Sequence, residues 1–177
     1  MSENELPPKC VAESRVVLSM MMNPEHANAF GNVHGGVIMK IVDEAGGLAA
    51  MRHSRSPVVT VAIDSMTFEE PIYVGNMVVF TAELTYTGRT SMEVRVSVTA
   101  EDPIAGSTVH TNLAYLVYVA IDTQGRPRPV PALCVETPEE QMCFQQAEQR
   151  QADRKRRHQL EREARQRRAR LDDADEM

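Results

Sequence analysis

Residues 35–53 read GGVIMKIVDEAGGLAAMRH. Apolar side chains at Val37, Ile38, Ile41, Val42, Ala45, Leu48 and Ala49 follow the i, i+3, i+4 rule, which predicts a helix from Gly35 to about His53. They occupy most of the helix circumference, so this helix is expected in the interior. A single helix of that kind has to be wrapped, and a curved antiparallel sheet can wrap it, giving an α+β domain.

The flanking sequence supplies that sheet. After Ser56-Pro57 the period becomes that of strands: Val58 to Phe68 is rich in β-branched residues, and PIYVGN ends it. Met77–Thr87 and Ser91–Glu101 flank the short turn Gly88-Arg89-Thr90, which predicts a hairpin. In its second arm Met92, Val94, Val96, Val98 and Ala100 alternate with Glu93, Arg95, Ser97, Thr99 and Glu101, so one face is expected to be wet. Ser107–Asp122, centred on LAYLVYVAI, reads as an interior strand. Upstream, Glu13–Met22 reads as a first strand, and the loop NPEHANAFGNVHGG leads into the helix.

These elements fit a chain of 177 residues, 42% apolar and 25% charged, as one domain with extensions. The predicted division is an arm at 1–12, a domain at 13–136 and a C-terminal charged helical or disordered extension at 137–177. Thr137-Pro138-Glu139-Glu140 joins a capping box to a proline at the first helical position, so a second helix should start there. Between Phe144 and Leu160 there is no large aliphatic or aromatic residue, which predicts solvated charge and no core role.

The net charge of −6 divides unevenly, +3 on residues 150–177 and −9 on residues 1–149. So acidic a body is a poor match for phosphate, and no nucleic-acid partner is expected. The longest near-continuous apolar run, Leu113–Ile121, is too short to span a bilayer. The opening MSENELPPKC has no signal-peptide pattern. Cys10, Cys134 and Cys143 form neither a CxxC nor a Cys/His cluster, so no metal site is expected and a reducing, cytoplasmic location is.

GxSxG, P-loop, GxGxxG and HExxH patterns are all missing. The candidate chemistry lies at the helix entry. Gly35-Gly36 leaves amide groups open at the positive end of the helix dipole, a ready site for a carbonyl oxygen or oxyanion. The plainer reading is a tight entry turn. Asp43 follows two turns later on nearly the same side, with Gly46 and Gly47 leaving space beside it. A carboxylate in an apolar helix is costly unless paired or used; a salt bridge to Lys40 is the alternative. Asn28, His26 and His34 lie in the entry loop, where turn and surface roles compete with function.

The strings ANAFGNVHGGVIMKIVDEAGGLAAMRH, VTVAIDSMTFEEPIYVGN and TGRTSMEVRV, taken in order, resemble the cytosolic acyl-CoA thioesterases of the hotdog-fold superfamily, over residues 13–135. The resemblance implies one long helix wrapped by five to six strands, and assembly into dimers at least and hexamers as trimers of dimers. It implies active sites between protomers, with Asn28 of one chain facing Asp43 of the other. It also implies a coenzyme A contact at Gly88-Arg89-Thr90-Ser91, with Arg89 as phosphate partner and Thr90 and Ser91 beside it. On this reading acyl-CoA is hydrolysed to fatty acid and CoA-SH. The Gly36 amide takes the oxyanion, Asp43 acts as general base on water or as nucleophile, and Gly35 and His34 are site neighbours. No cofactor or metal is required. Two alternatives stay open: an acyl-CoA sensor without turnover, and a hotdog hydratase or dehydratase using His34 with Asp43.

Overall fold

A computed structural model of the chain describes residues 6–175, with side chains to residue 166. The first five residues of the predicted arm and the last two of the extension lie outside the described residues. In chain order the elements are β1 (Lys9–Cys10), α1 (Val11–Ser14), β2 (Val16–Met21), α2 (Gly35–Ser54), β3 (Val58–Met66), β4 (Met77–Thr87), β5 (Ser91–Asp102), β6 (Ser107–Ala120), β7 (Leu133–Cys134) and α3 (Pro138–Asp175).

The long helix forms where its periodicity predicts. His34 caps it through Nδ1, which accepts from the Gly36 amide at 2.9 Å, and Arg55 ends it in the left-handed region at φ 52°. Ile38, Ile41, Val42, Ala45, Ala49 and Ala50 are buried against a five-stranded antiparallel sheet of order β2-β4-β5-β6-β3. The sheet meets them with alternate residues, Val78, Phe80, Ala82 and Leu84 on β4 and Met92, Val94, Val96 and Val98 on β5, all buried. Period-two burial on the strands against a 3.6-residue stripe on the helix is the predicted α+β core.

Three expectations need correction. The helix is not covered on every side by its own chain: Met39, Leu48 and Met51 remain exposed, because one sheet can face only one side of a helix. The predicted first strand, Glu13–Met22, starts later: Glu13 and Ser14 belong to the short α1, and β2 begins at Val16. The polar face of β5 is not simply wet, because α3 crosses it. On that outer face Phe144 packs on Tyr86 with ring centroids 5.2 Å apart, Arg150 donates to Glu93 Oε1 at 2.7 Å and stacks 3.9 Å over Tyr115, and Arg154 pairs with Asp64. Ala147 of α3 and Glu93 of β5 are sealed between the helix and the sheet. The charged extension is therefore part of the fold up to Arg154, and the solvated character predicted for it describes residues 155–166. Its start forms as read: Glu140 N donates to Thr137 Oγ1 at 3.2 Å and Thr137 N to Glu140 Oε2 at 3.3 Å.

At the far end of α2 the parallel pair β1–β7 closes the domain. Lys9 Nζ reaches the Arg52 and His53 carbonyls at 2.6 and 3.2 Å. His53 is fully buried, with Nε2 3.0 Å from the Pro131 carbonyl and Nδ1 2.8 Å from Ser14 Oγ. A carbonyl only accepts, so Nε2 carries the proton and Nδ1 accepts from the serine. Burial pulls the His53 pKa below its ordinary value, against the opposing pull of the Pro131 carbonyl. Cys10 and Cys134, 124 residues apart in sequence, are register partners in this pair.

Candidate active site

Asp43 sits on the α2 side that looks toward β3 and β6. Its Oδ1 accepts from Thr60 Oγ1 at 2.7 Å and from Tyr118 OH at 3.2 Å, and the same phenol lies 3.0 Å from the Asp43 carbonyl. Thr60 and Tyr118 are register partners across β3 and β6, which puts both side chains on the sheet face that meets the helix. Burial first, and the Asp43 charge second, push the Tyr118 phenol far above its ordinary pKa, so it is a permanent donor. Oδ2 of Asp43 has no hydrogen-bond partner among the described residues. Lys40, the competing partner, bridges Glu44 at 3.3 Å instead.

Gly46 makes this arrangement possible, for a reason the sequence left unspecified. A Cβ at Gly46 would overlap the Tyr118 hydroxyl. The space beside Asp43 is thus filled at Gly46 by a phenol, while Gly47 lines the open side. That open side is a cavity of about 380 Å³ walled by Asp43, Leu48, Met51, Leu18, Val58 and Thr60. A second hollow of about 430 Å³ shares Leu18, Leu48 and Met51 and runs on to Arg52 and Arg55. Together they make one apolar groove along α2 with the carboxylate at its head.

The helix entry differs from expectation. The Gly36 amide is not open, because the His34 imidazole accepts from it at 2.9 Å. Gly35 faces Phe68, whose ring would lie 3.2 Å from a Cβ placed there. Asn28 folds its carbonyl oxygen into its own loop, accepting from Phe30 N at 2.8 Å and Asn32 N at 3.3 Å; its amide NH₂ has no partner among the described residues. Asn28 does not line the Asp43 cavity of the same chain.

The β4–β5 hairpin tip lies at the same end of the sheet as Asp43. Ser91 pairs with Val119, and Met92 with Tyr118, which in turn pairs with Thr60. Met92, just past the tip, is therefore about two strand spacings, roughly 10 Å, from Thr60. Arg89 is exposed, and among the described residues its guanidinium has no ion pair, while its carbonyl accepts from Val130 N at 3.0 Å. Thr90 is fixed through its carbonyl by Ala120 N at 3.0 Å, and Ser91 by Gly88 N at 2.8 Å. The structure thus gathers Asp43, Arg89, Thr90 and Ser91 at one end and keeps Asn28 apart from Asp43 within a chain.

Thr60 and Tyr118 were not foreseen as site residues. A threonine and a tyrosine in β-rich sequence look like ordinary strand residues; Gly46 inside a helix, where glycine costs about 1 kcal/mol relative to alanine, was the one hint that another group approaches there.

The family model described as "Thioesterase superfamily" matches residues 30–107. A Bacillus subtilis protein named as an uncharacterized acyl-CoA thioester hydrolase is 36% identical over 145 residues, 82% of this chain and 84% of that protein. The mouse cytosolic acyl coenzyme A thioester hydrolase is 34% identical over 146 residues, 81% of this chain; the match spans only 38% of the mouse protein's length. Among solved structures, an apo hexameric acyl-CoA thioesterase superposes with a TM-score of 0.84 at 35% identity, covering 86% of this chain and 98% of the other.

Proposed function

We propose that this chain, which belongs to the thioesterase superfamily, hydrolyses acyl-CoA to a fatty acid and CoA-SH at a site shared between two copies. The observation that carries this reading is the Asp43 carboxylate, held on one oxygen by Thr60 and Tyr118 and without a partner on the other among the described residues, at the head of an apolar groove.

In the reaction, Oδ2 of Asp43 takes a proton from a water as that water attacks the thioester carbonyl carbon. The carbonyl oxygen becomes an oxyanion and is met by the Gly36 amide, which His34 gives up on substrate binding, and by the Asn28 amide of the second copy. Collapse breaks the carbon–sulfur bond, and CoA leaves as a thiolate that is then protonated. Thr60 and Tyr118 hold the carboxylate in one orientation throughout. Direct attack by Asp43, forming an anhydride, is the rival route. The acyl tail lies along Leu18, Leu48 and Met51, with Arg89 near the phosphates and Thr90 and Ser91 beside it. A thioester is already an activated acyl donor, so the proposed route uses no metal or redox cofactor.

The second copy is proposed from the β3 edge of the sheet, the edge strand that carries Thr60. β3 is an edge strand and exposes Val59, Val61 and Ile63, and α2 exposes Met39, Leu48 and Met51. A long apolar edge strand invites pairing with another strand, and an isologous β3–β3 contact would cover both surfaces and create two equivalent clefts. The hexameric thioesterase that superposes on this chain supports assembly of such pairs.

Two measurements test the reading. Free-thiol release should follow mixing with acyl-CoA of several chain lengths; binding of CoA without thiol release would leave the sensor reading in its place. Asn28→Ala and Asp43→Asn chains, each inactive alone, should recover about a quarter of native activity when co-expressed one to one, since half the dimers are mixed and each mixed dimer holds one intact site. Inactive mixed dimers would end the shared-site proposal.

A further inference from the structure

The clasp at the end of α2 brings together donors that no spacing rule connects. Cys10 and Cys134 face each other as partners in the parallel β1–β7 pair. Glu136 lies two residues beyond Cys134, so extended backbone returns its side chain to the same face. The two sulfurs and a Glu136 carboxylate oxygen all lie within 4.8 Å of one another. Tetrahedral zinc binds thiolate sulfur at about 2.3 Å and carboxylate oxygen at about 2.0–2.2 Å, so its ligand atoms stand roughly 3.5–4 Å apart. The three donors need to draw in by only a fraction of that distance.

The charges around them are of one sign. Glu13 is fixed beside the pair, accepting from Cys10 N at 2.8 Å. Lys9, next to Cys10 in the chain, places its Nζ on the Arg52 and His53 carbonyls at 2.6 and 3.2 Å. Cys143 is elsewhere, its Sγ accepting from Arg95 at 3.3 Å under α3. Two thiols and a carboxylate, with a further carboxylate behind and, among the described residues, no ion pair to either carboxylate, have the chemistry of a thiophilic cation site.

We propose that Cys10, Cys134 and Glu136 bind one thiophilic divalent cation of the zinc type, with water in the fourth position. The ion replaces two thiol protons, which go to solvent. It joins the N-terminal strand to the segment that leads into α3 and so staples the clasp shut. It takes no part in hydrolysis: His53, over which the clasp sits, is ten residues from Asp43 along α2, about 15 Å.

The test uses the full chain, reduced until all three thiols react with a thiol reagent. Cobalt(II) titration should give thiolate-to-cobalt charge-transfer absorption and tetrahedral d–d bands that saturate at one equivalent and disappear on adding zinc. Zinc at a hundred times its dissociation constant should raise Tm by roughly 5–10 °C. Cys10→Ser and Cys134→Ser should each abolish both signals, Glu136→Gln should weaken binding at least tenfold, and Cys143→Ser should change neither. Affinity should climb with pH, as deprotonation requires. Absence of charge-transfer absorption overturns the proposal, as does a zinc-induced Tm rise that survives in the Cys10→Ser/Cys134→Ser double variant. Thiol release from acyl-CoA by Cys10→Ser, expected within twofold of the native rate, reads the hydrolase proposal separately.

Discussion

One sheet carries two helices on opposite faces, and they are held by different physics. Against α2 the contact is dry: Phe80, Val94 and Leu116 meet Ile41, Ala45 and Ala49, and the polar atoms of Asp43, Thr60 and Tyr118 answer one another. Against α3 a smaller apolar contact, Phe144 on Tyr86 and the buried Ala147, is joined by buried charge. Glu93 is 1% exposed and is reached by Arg150 at 2.7 Å, while its second oxygen lies 3.8 Å from Arg154 with no hydrogen-bond partner among the described residues. Burial of apolar area is non-directional and adds up over many residues, whereas a buried ion pair must first offset the desolvation of both charges. The α2 face therefore supplies the stability, and the α3 face locates one helix through a few directional contacts.

The sharpest way to break this comparison is to hollow the first face. Phe80→Ala, at a fully buried position, should cost about 3–5 kcal/mol in urea denaturation. A smaller loss would mean that the sheet relies on α3 more than the packing indicates.

On the same face, chemistry and stability should separate at Asp43. Asp43→Asn should lower kcat at least about 100-fold while moving stability by less than about 1 kcal/mol, because an amide oxygen can still accept from Thr60 and Tyr118. A folded variant with near-native kcat would make Asp43 a structural residue.

Across the sheet, Arg150→Ala leaves Glu93 buried without its main partner. It should cost about 2–3 kcal/mol, less than a fully buried pair because the arginine side chain is 25% exposed. Replacing both, Glu93→Leu with Arg150→Met, should recover most of that loss. If the double variant is no better than the single one, the pair stabilises the protein outright and the contrast between the faces fails.

Arg89, at the hairpin tip beyond both faces, should affect affinity alone. Arg89→Ala is expected to raise KM roughly tenfold with kcat little changed, less so at high salt. An unchanged KM at low salt would remove Arg89 from the site.

The smallest effect concerns His53, where α2 meets the clasp. Its folded pKa is lowered by burial, so the unfolded chain binds the extra proton first as pH falls. The stability it contributes is complete above its unfolded value near 6.5 and is lost on acidification, at up to about 1.4 kcal/mol per pH unit. Tm measured from pH 7 to 5 should fall with a slope that flattens in His53→Gln; an identical slope would assign the acid sensitivity to other groups.

How much could be read in advance differed between the same two regions. Gly35–Ser54 announced itself because helical periodicity and apolar composition are local properties, and the turn at Gly88–Thr90 did so for the same reason. The role of α3 did not. Cys143, Ala147, Arg150 and Arg154 do recur at helical spacing, but none is a large apolar residue, and their partners Glu93, Tyr115 and Asp64 lie on three different strands. Asp43 could be singled out as a carboxylate in an apolar helix. Thr60 and Tyr118 could not, because only the β3–β6 register sets them opposite each other.

By itself, then, the sequence determined the secondary elements, the α+β class, the helix that carries the carboxylate and the capping of the last helix, all of which depend on residues within a few positions of one another. Only the tertiary structure decided that a phenol fills the space left by Gly46, that a charged helix seals the outer face, and that two cysteines 124 residues apart meet. Those outcomes follow from strand register and from the path of the chain between elements, which bring distant residues within hydrogen-bonding or ligand distance and leave no periodic trace in the sequence.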